Sequence, residues 1–348
     1  MTPRFLLRPG WIMLAFLAGT TTLQAARVQE ARPLMGTVVE IAADGPEETA
    51  LRAAIEAAYR EMARLIDMMS HYDPGSVVTA INDAAGARPV AVPSELMEVL
   101  TMARRVSERS RGAFDVTVGS LRGWRFRSDD PRLPSRGEIA AQLPKVDYRK
   151  LVLDRRAGTA FLTERGMRID LGGIAKLYIL HAGMRILTQH GIARAMVNGG
   201  GDVEVIAPDG GRPWRIGVRD PRASGRLLGA LELRRGFVVS SGNYERYFVR
   251  NGKQYHHILN PSTGFPAEGP HGVTLVSTEM EAVNGLPVAI MVLGKRAGIN
   301  LVSSTPGIEG IIVDRDASVW MSPGFRAQLH AVTATPAAES REPVLRQP

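Results

Sequence analysis

The octet Ile169-Asp170-Leu171-Gly172-Gly173-Ile174-Ala175-Lys176 limits what this chain can fold into more than any other stretch. It joins a short apolar run, read as a strand, to a helix start, and sets a carboxylate, two glycines and a lysine in one tight corner. Gly172 and Gly173 carry no side chains to block a ligand. Anionic oxygens can therefore reach free backbone N–H groups at the helix N-terminus, where the helix dipole also favours negative charge. Lys176 follows within one turn as a mobile cation, and Asp170 can accept from a sugar hydroxyl or an amine. Taken alone, the octet fits equally well a capped helix with a glycine bend and a solvated lysine. Its glycine spacing matches neither a Walker loop nor a Rossmann fingerprint.

The segments around it mix helix and strand signals. Val38 to Ile41 is a β-rich run. From Glu47 to Ser70, Leu51, Ile55, Tyr59, Met62, Ile66 and Met69 recur at three and four, the period of an amphipathic helix packed on a sheet. A second helix runs from Ser94, read as its N-cap, to Ser110, with Leu96, Leu100, Ala103 and Val106 inward. The helix that begins in the octet runs towards Gln189 and stops at Gly191. Short turn-bounded strands follow at Ala195 to Val197, Asp202 to Ala207, Trp214 to Val218, Leu227 to Leu233 and Phe237 to Ser240. A fourth helix starts near Glu281 and stops before Gly294, and a hairpin spans Gly310 to Met321. This order predicts an α+β fold.

With 348 residues, 45% of them apolar, the chain can bury a large core. It has no cysteine, which excludes disulfides, thiolate metal sites and a lipidated cysteine. The formal charge is +8, but the arginines are scattered, so no nucleic-acid arm is expected. Residues 1–25 read as a secretory leader: Arg4 and Arg8 precede the apolar run Trp11 to Leu17, and Leu23-Gln24-Ala25 ends it. The expectation is an exported, periplasmic chain with one domain over residues 26–330, no stable membrane insertion, and a disordered tail over 331–348.

Seven motifs in order carry a resemblance: Met35-Gly36-Thr37; Ser70-x-Tyr72-x-x-x-Ser76 with Asn82; Gly112-Ala113-Phe114-Asp115; Asp170 to Lys176; Val197-Asn198-x-Gly200-Gly201-Asp202; Ser241-Gly242-Asn243-Tyr244-Glu245-Arg246; and His256 to Gly264. Over roughly residues 32 to 325 the chain resembles the FAD:protein FMN transferase family, ApbE. The resemblance implies a T-fold-like α+β architecture with an FAD site between two lobes. It also implies transfer of FMN to a threonine of a partner flavoprotein, with loss of AMP and help from Mg2+. By motif position Met35, Tyr72, Ala113, Phe114, Asp115, Asp170, Lys176 and Ile258 would surround FAD. Tyr72 would stack on the flavin, and His257 would be the base for the threonine proton. A core histidine satisfied by backbone is the plain alternative for His257.

The family's metal position is altered in this sequence. The resemblance implies a backbone carbonyl at Gly173 plus an aspartate and a threonine four residues apart on a later helix. Those two positions read Asn284 and Val288 here. Magnesium favours charged or hydroxyl oxygen, so the change removes the anion and one donor oxygen. Two functions follow as alternatives: a transferase with a remodelled metal site, or an FAD-binding carrier that does not transfer FMN.

Overall fold

The structure, a computed structural model, describes residues 26–127 and 129–332. The leader read at 1–25 and the tail beyond Val332 lie outside the described residues. A hairpin of β1 (Ala26–Leu34) and β2 (Thr37–Gly45) leads to α1 (Glu48–Met69), α2 (Val77–Asp83), β3 (Val90–Ala91) and α3 (Ser94–Arg109). Next come α4 (Arg136–Gln142), β4 (Leu151–Asp154), β5 (Thr159–Leu162) and α5 (Ala175–Gln189). A run of strands follows: β6 (Arg194–Gly199), β7 (Asp202–Ile206), β8 (Trp214–Arg219), β9 (Leu227–Leu233), β10 (Arg235–Gly242), β11 (Tyr247–Arg250), β12 (Lys253–His256) and β13 (Gly272–Ser277). The chain closes with α6 (Met280–Val283), α7 (Leu286–Leu293), α8 (Lys295–Ser303), β14 (Glu309–Val313), β15 (Val319–Met321), α9 (Pro323–Gln328) and β16 (Leu329–His330).

Eight strands form one sheet in the order β1-β2-β6-β7-β10-β13-β14-β15, and every neighbouring pair is antiparallel. Side chains alternate across such a sheet with period two. Val39, Ile41 and Ala43 of β2 therefore face α1 and α5, while Ala42 faces the other way, onto Trp214 and Leu231 of the smaller β16-β9-β8 sheet. On β10, Phe237 and Val239 point to a second helical core under α7 and α8, and Val238 points to the small sheet. The helix-covered face thus holds two apolar cores side by side. A polar seam lies between them. Asp202 and Glu204 of β7, two residues apart and both buried, meet Lys176 and His181 of α5, each at 3.0 Å.

Four local expectations change. β1 precedes the β-rich run and carries no strand signal of its own; apart from Val28 its residues are exposed or half-buried, and Arg27, Glu30 and Arg32 give it the charge of a protected sheet edge. The apolar run before Asp170 joins no sheet, because the Asn82 side chain takes the ladder's place: its Oδ1 accepts from the Ile169 N–H at 2.7 Å and its Nδ2 donates to the Ile169 carbonyl at 3.2 Å. Ser94 is the first helical residue of α3, and Pro93 holds the cap position. The helix expected from Glu281 is two helices, broken at Asn284-Gly285, where Gly285 takes φ +75°. An alanine there would be strained, and its Cβ would stand 3.3 Å from the Phe114 ring.

Candidate functional site

The Asp170 corner is held by residues distant in sequence. The N–H of Asp170 donates to the Val116 carbonyl at 2.8 Å, and its carboxylate folds back to accept from the Gly172 N–H at 2.8 Å. Ile174 and Ala175 both donate to the Leu171 carbonyl, and α5 then opens without a side-chain cap. The uncapped first-turn donors and the dipole make this end of α5 attractive to an anion. Gly173 is glycine for a packing reason: a Cβ there would stand 3.1 Å from Phe114 and 3.7 Å from Val288.

Lys176 stands one residue into α5. Its Nζ lies 3.0 Å from Asp202 Oδ2, and Asp202 Oδ1 accepts from the Ser240 N–H at 3.1 Å. The buried carboxylate therefore anchors the lysine, which stays partly exposed and keeps donors free. The turn that carries Asp202 needs Gly200 and Gly201, at φ +61° and +92°, and a Cβ on Gly200 would strike Thr37 at 2.7 Å. Thr37 follows Met35-Gly36, the tip of the β1–β2 hairpin, so the Met35 motif and the Asp202 motif lie against each other.

The two histidines divide cleanly. His256 is 2% exposed and gives both ring nitrogens to backbone: Nε2 donates to the Ala267 carbonyl at 2.9 Å, and Nδ1 accepts from the Ile258 N–H at 3.3 Å. The backbone-satisfied alternative describes His256. His257 commits only Nδ1, which donates to the Arg246 carbonyl at 3.3 Å and leaves Nε2 with its lone pair. Burial, followed by the nearby Arg246 guanidinium, pushes the His257 pKa down to about 3, with smaller contributions from His256 and Lys176. The imidazole is neutral at physiological pH and can take a proton.

Tyr72 is 81% exposed on the loop after α1, its ring centroid 3.9 Å from that of His71. His71 Nδ1 in turn lies 3.5 Å from Asp170 Oδ1, which ties the loop to the corner. The charges of both Asp170 and Arg246 act on Tyr72, and the exposed Arg246 is the residue whose carbonyl accepts from His257. Among the described residues Arg246 forms no ion pair.

The remaining candidates support the site from behind. Asp115 is buried and accepts from the Thr117 N–H, the Thr117 hydroxyl and the Tyr148 N–H at 2.6–2.8 Å, so its carboxylate shapes its own loop. Burial raises its pKa against those hydrogen bonds. Ala113 and Phe114 are buried, with Phe114 wedged against Gly173 and Gly285. Ile258 packs in the core beneath α7. Asp202, Arg246 and His71 were given no role by the sequence reading, although the first two stood inside its motifs.

The metal position does not fit a magnesium ion. Asn284 is 2% exposed, and its Nδ2 donates to the Ile174 carbonyl at 3.0 Å and to Met102 Sδ at 3.1 Å. Both neighbours are acceptors, which fixes the amide with its N–H groups inward. Val288 presents a methyl group to Gly173. Among the described residues no group of three or more His, Cys, Asp or Glu could hold a metal ion.

Comparison with known proteins adds the following. The ApbE family model matches residues 35–312. The FAD:protein FMN transferase of Treponema pallidum is 30% identical over 332 residues, covering 89% of this chain and 91% of that protein. The Klebsiella pneumoniae protein of the same name is 31% identical over 267 residues, covering 76% and 83%. Among solved structures, the ApbE protein of Thermotoga maritima superposes with a TM-score of 0.81 at 34% identity, covering 88% of this chain and all of that one. The flavin transferase ApbE of Vibrio cholerae gives 0.76 at 26% identity with the same coverage.

Proposed function

The chain belongs to the ApbE family, and on that premise we propose that it transfers FMN from FAD to a threonine of a partner flavoprotein and releases AMP. The observation that carries this reading is the pairing of an uncapped, lysine-bearing helix start with a neutral imidazole whose Nε2 is free.

In this reading the FAD pyrophosphate lies at the α5 N-terminus, with Lys176 and Arg246 offsetting its charge. Tyr72 stacks on the flavin, and Asp170 takes a hydroxyl with its second oxygen. Met35, Ala113, Phe114, Asp115 and Ile258 hold the surrounding backbone in place. The threonine oxygen attacks the phosphorus on the FMN side. Its proton goes to His257 Nε2, the P–O bond to AMP breaks, and AMP leaves with the electron pair. Phosphoryl transfer needs positioning and charge neutralisation above all, and these residues supply both. The acceptor is a flavoprotein of an exported or membrane electron-transfer system, and the leader read at residues 1–25 supports a periplasmic location. Among the described residues no helix is long and apolar enough to cross a membrane.

The test is incubation with FAD and a protein domain bearing the acceptor threonine, read by mass spectrometry. An FMN adduct is expected with the wild type, and His257→Gln should slow its formation by about 10²–10³-fold while leaving FAD binding intact. Equal rates for the two would remove His257 from the role of base.

A further inference from the structure

We propose that this chain has exchanged the family's divalent cation for a hydrogen bond, so that FAD binding and transfer here proceed without a metal at the α6–α7 break. The proposal rests on the reading of the Asp170 corner as the pyrophosphate site.

Three observations carry it. The first is polarity. At the position where the family has an anionic side chain, the structure has an amide whose N–H donates to the Ile174 carbonyl, one residue beyond Gly173. The Asn284 side chain therefore turns a donor, and no charge, towards this stretch of backbone. The second is the donor count. The Val288 side chain has no oxygen, and among the described residues no group of three or more His, Cys, Asp or Glu could hold an ion. A hard, strongly hydrated ion is not held by neutral oxygens of such low number. The third is closure: Asn284 is fully buried, its second acceptor is the Met102 sulfur, and Phe114 and Val288 pack over Gly173. Admitting an ion would break the amide's bonds and strand a buried donor.

The compensating charge is on the protein. Lys176 is oriented by Asp202, and Arg246, whose carbonyl accepts from His257, stands without an ion partner among the described residues. These two side chains and the uncapped start of α5 supply the positive charge in place of an ion.

The experiment uses the full chain and Mn2+ as the probe. Electron paramagnetic resonance should show no saturable Mn2+ uptake by the wild type. Its melting temperature and its affinity for FAD should be the same in excess EDTA and in Mn2+. Asn284→Asp at pH 8 should melt a few degrees lower in EDTA, because a carboxylate then faces the Ile174 carbonyl with no proton between them. Mn2+ should restore it, and more fully in Asn284→Asp with Val288→Thr. One Mn2+ bound per wild-type chain, or an FAD affinity raised about tenfold or more by metal, would overturn the proposal. So would an Asn284→Asp variant as stable in EDTA as the wild type. Failure to bind FAD under either condition would instead remove the reading of the corner on which the proposal rests.

Discussion

His256 gives both ring nitrogens to backbone, whereas His257 gives up one and keeps the other. Adjacent identical residues are therefore held differently, one spent on the fold and the other with a nitrogen left for the proposed proton transfer, and the difference lies in which carbonyls and N–H groups each ring meets. The depressed His257 pKa has a consequence for stability. In the unfolded chain the ring protonates near its ordinary value of about 6.5, but in the folded chain only near 3. The unfolded state then binds more protons between those values, so the contribution of His257 is intact above about pH 6.5 and is lost as pH falls towards 3. NMR titration should find the imidazole neutral at pH 5, and Arg246→Gln should move its pKa upward. A ring that titrates near 6.5 in the folded protein would contradict the geometry.

At the scale of elements, the corner depends on parts far away in sequence. Asn82 on α2 clamps both backbone groups of Ile169, in place of the strand that the apolar run implied. Asn82→Ala should cost roughly 3 kcal/mol in chemical denaturation, since it leaves a buried N–H and carbonyl unpaired. A loss under half a kcal/mol would mean that water takes over the clamp. The break at Gly285 is the second such part. Gly285→Ala should cost about 2 kcal/mol, from the left-handed backbone and the close Phe114 ring together. The α1 and α3 spans were legible because their apolar residues repeat at helical spacing over many turns, and Leu51, Ile55, Met62, Leu96 and Leu100 are all buried. The α6–α7 break was harder to see, because its local signal, Asn284-Gly285 with Pro287 after it, sits inside an otherwise apolar run that reads as one helix. β1 stayed hidden because an edge strand carries charge and little apolar alternation.

Across the whole molecule, the antiparallel eight-stranded sheet puts two helical cores on one face and a small sheet on the other, and leaves the β7–α5 seam polar between the cores. That seam is where Lys176 is anchored. The α+β class was legible from the order of elements, and the motif positions were legible from the resemblance. What sequence could not supply was orientation. Asp115 stands in a motif, yet its carboxylate is spent on Thr117 and Tyr148, and only the fold shows that the Arg246 carbonyl holds the His257 ring. In the proposed reaction a pyrophosphate bound at the α5 N-terminus is opened by protein charge and His257, without a metal. The most direct measurement is the rate of FMN adduct formation on an acceptor domain, followed by mass spectrometry with FAD in excess EDTA and again in Mg2+. Equal rates under the two conditions are predicted. An adduct that forms only with Mg2+ would contradict the metal-free account, and no adduct under either condition would contradict transfer itself.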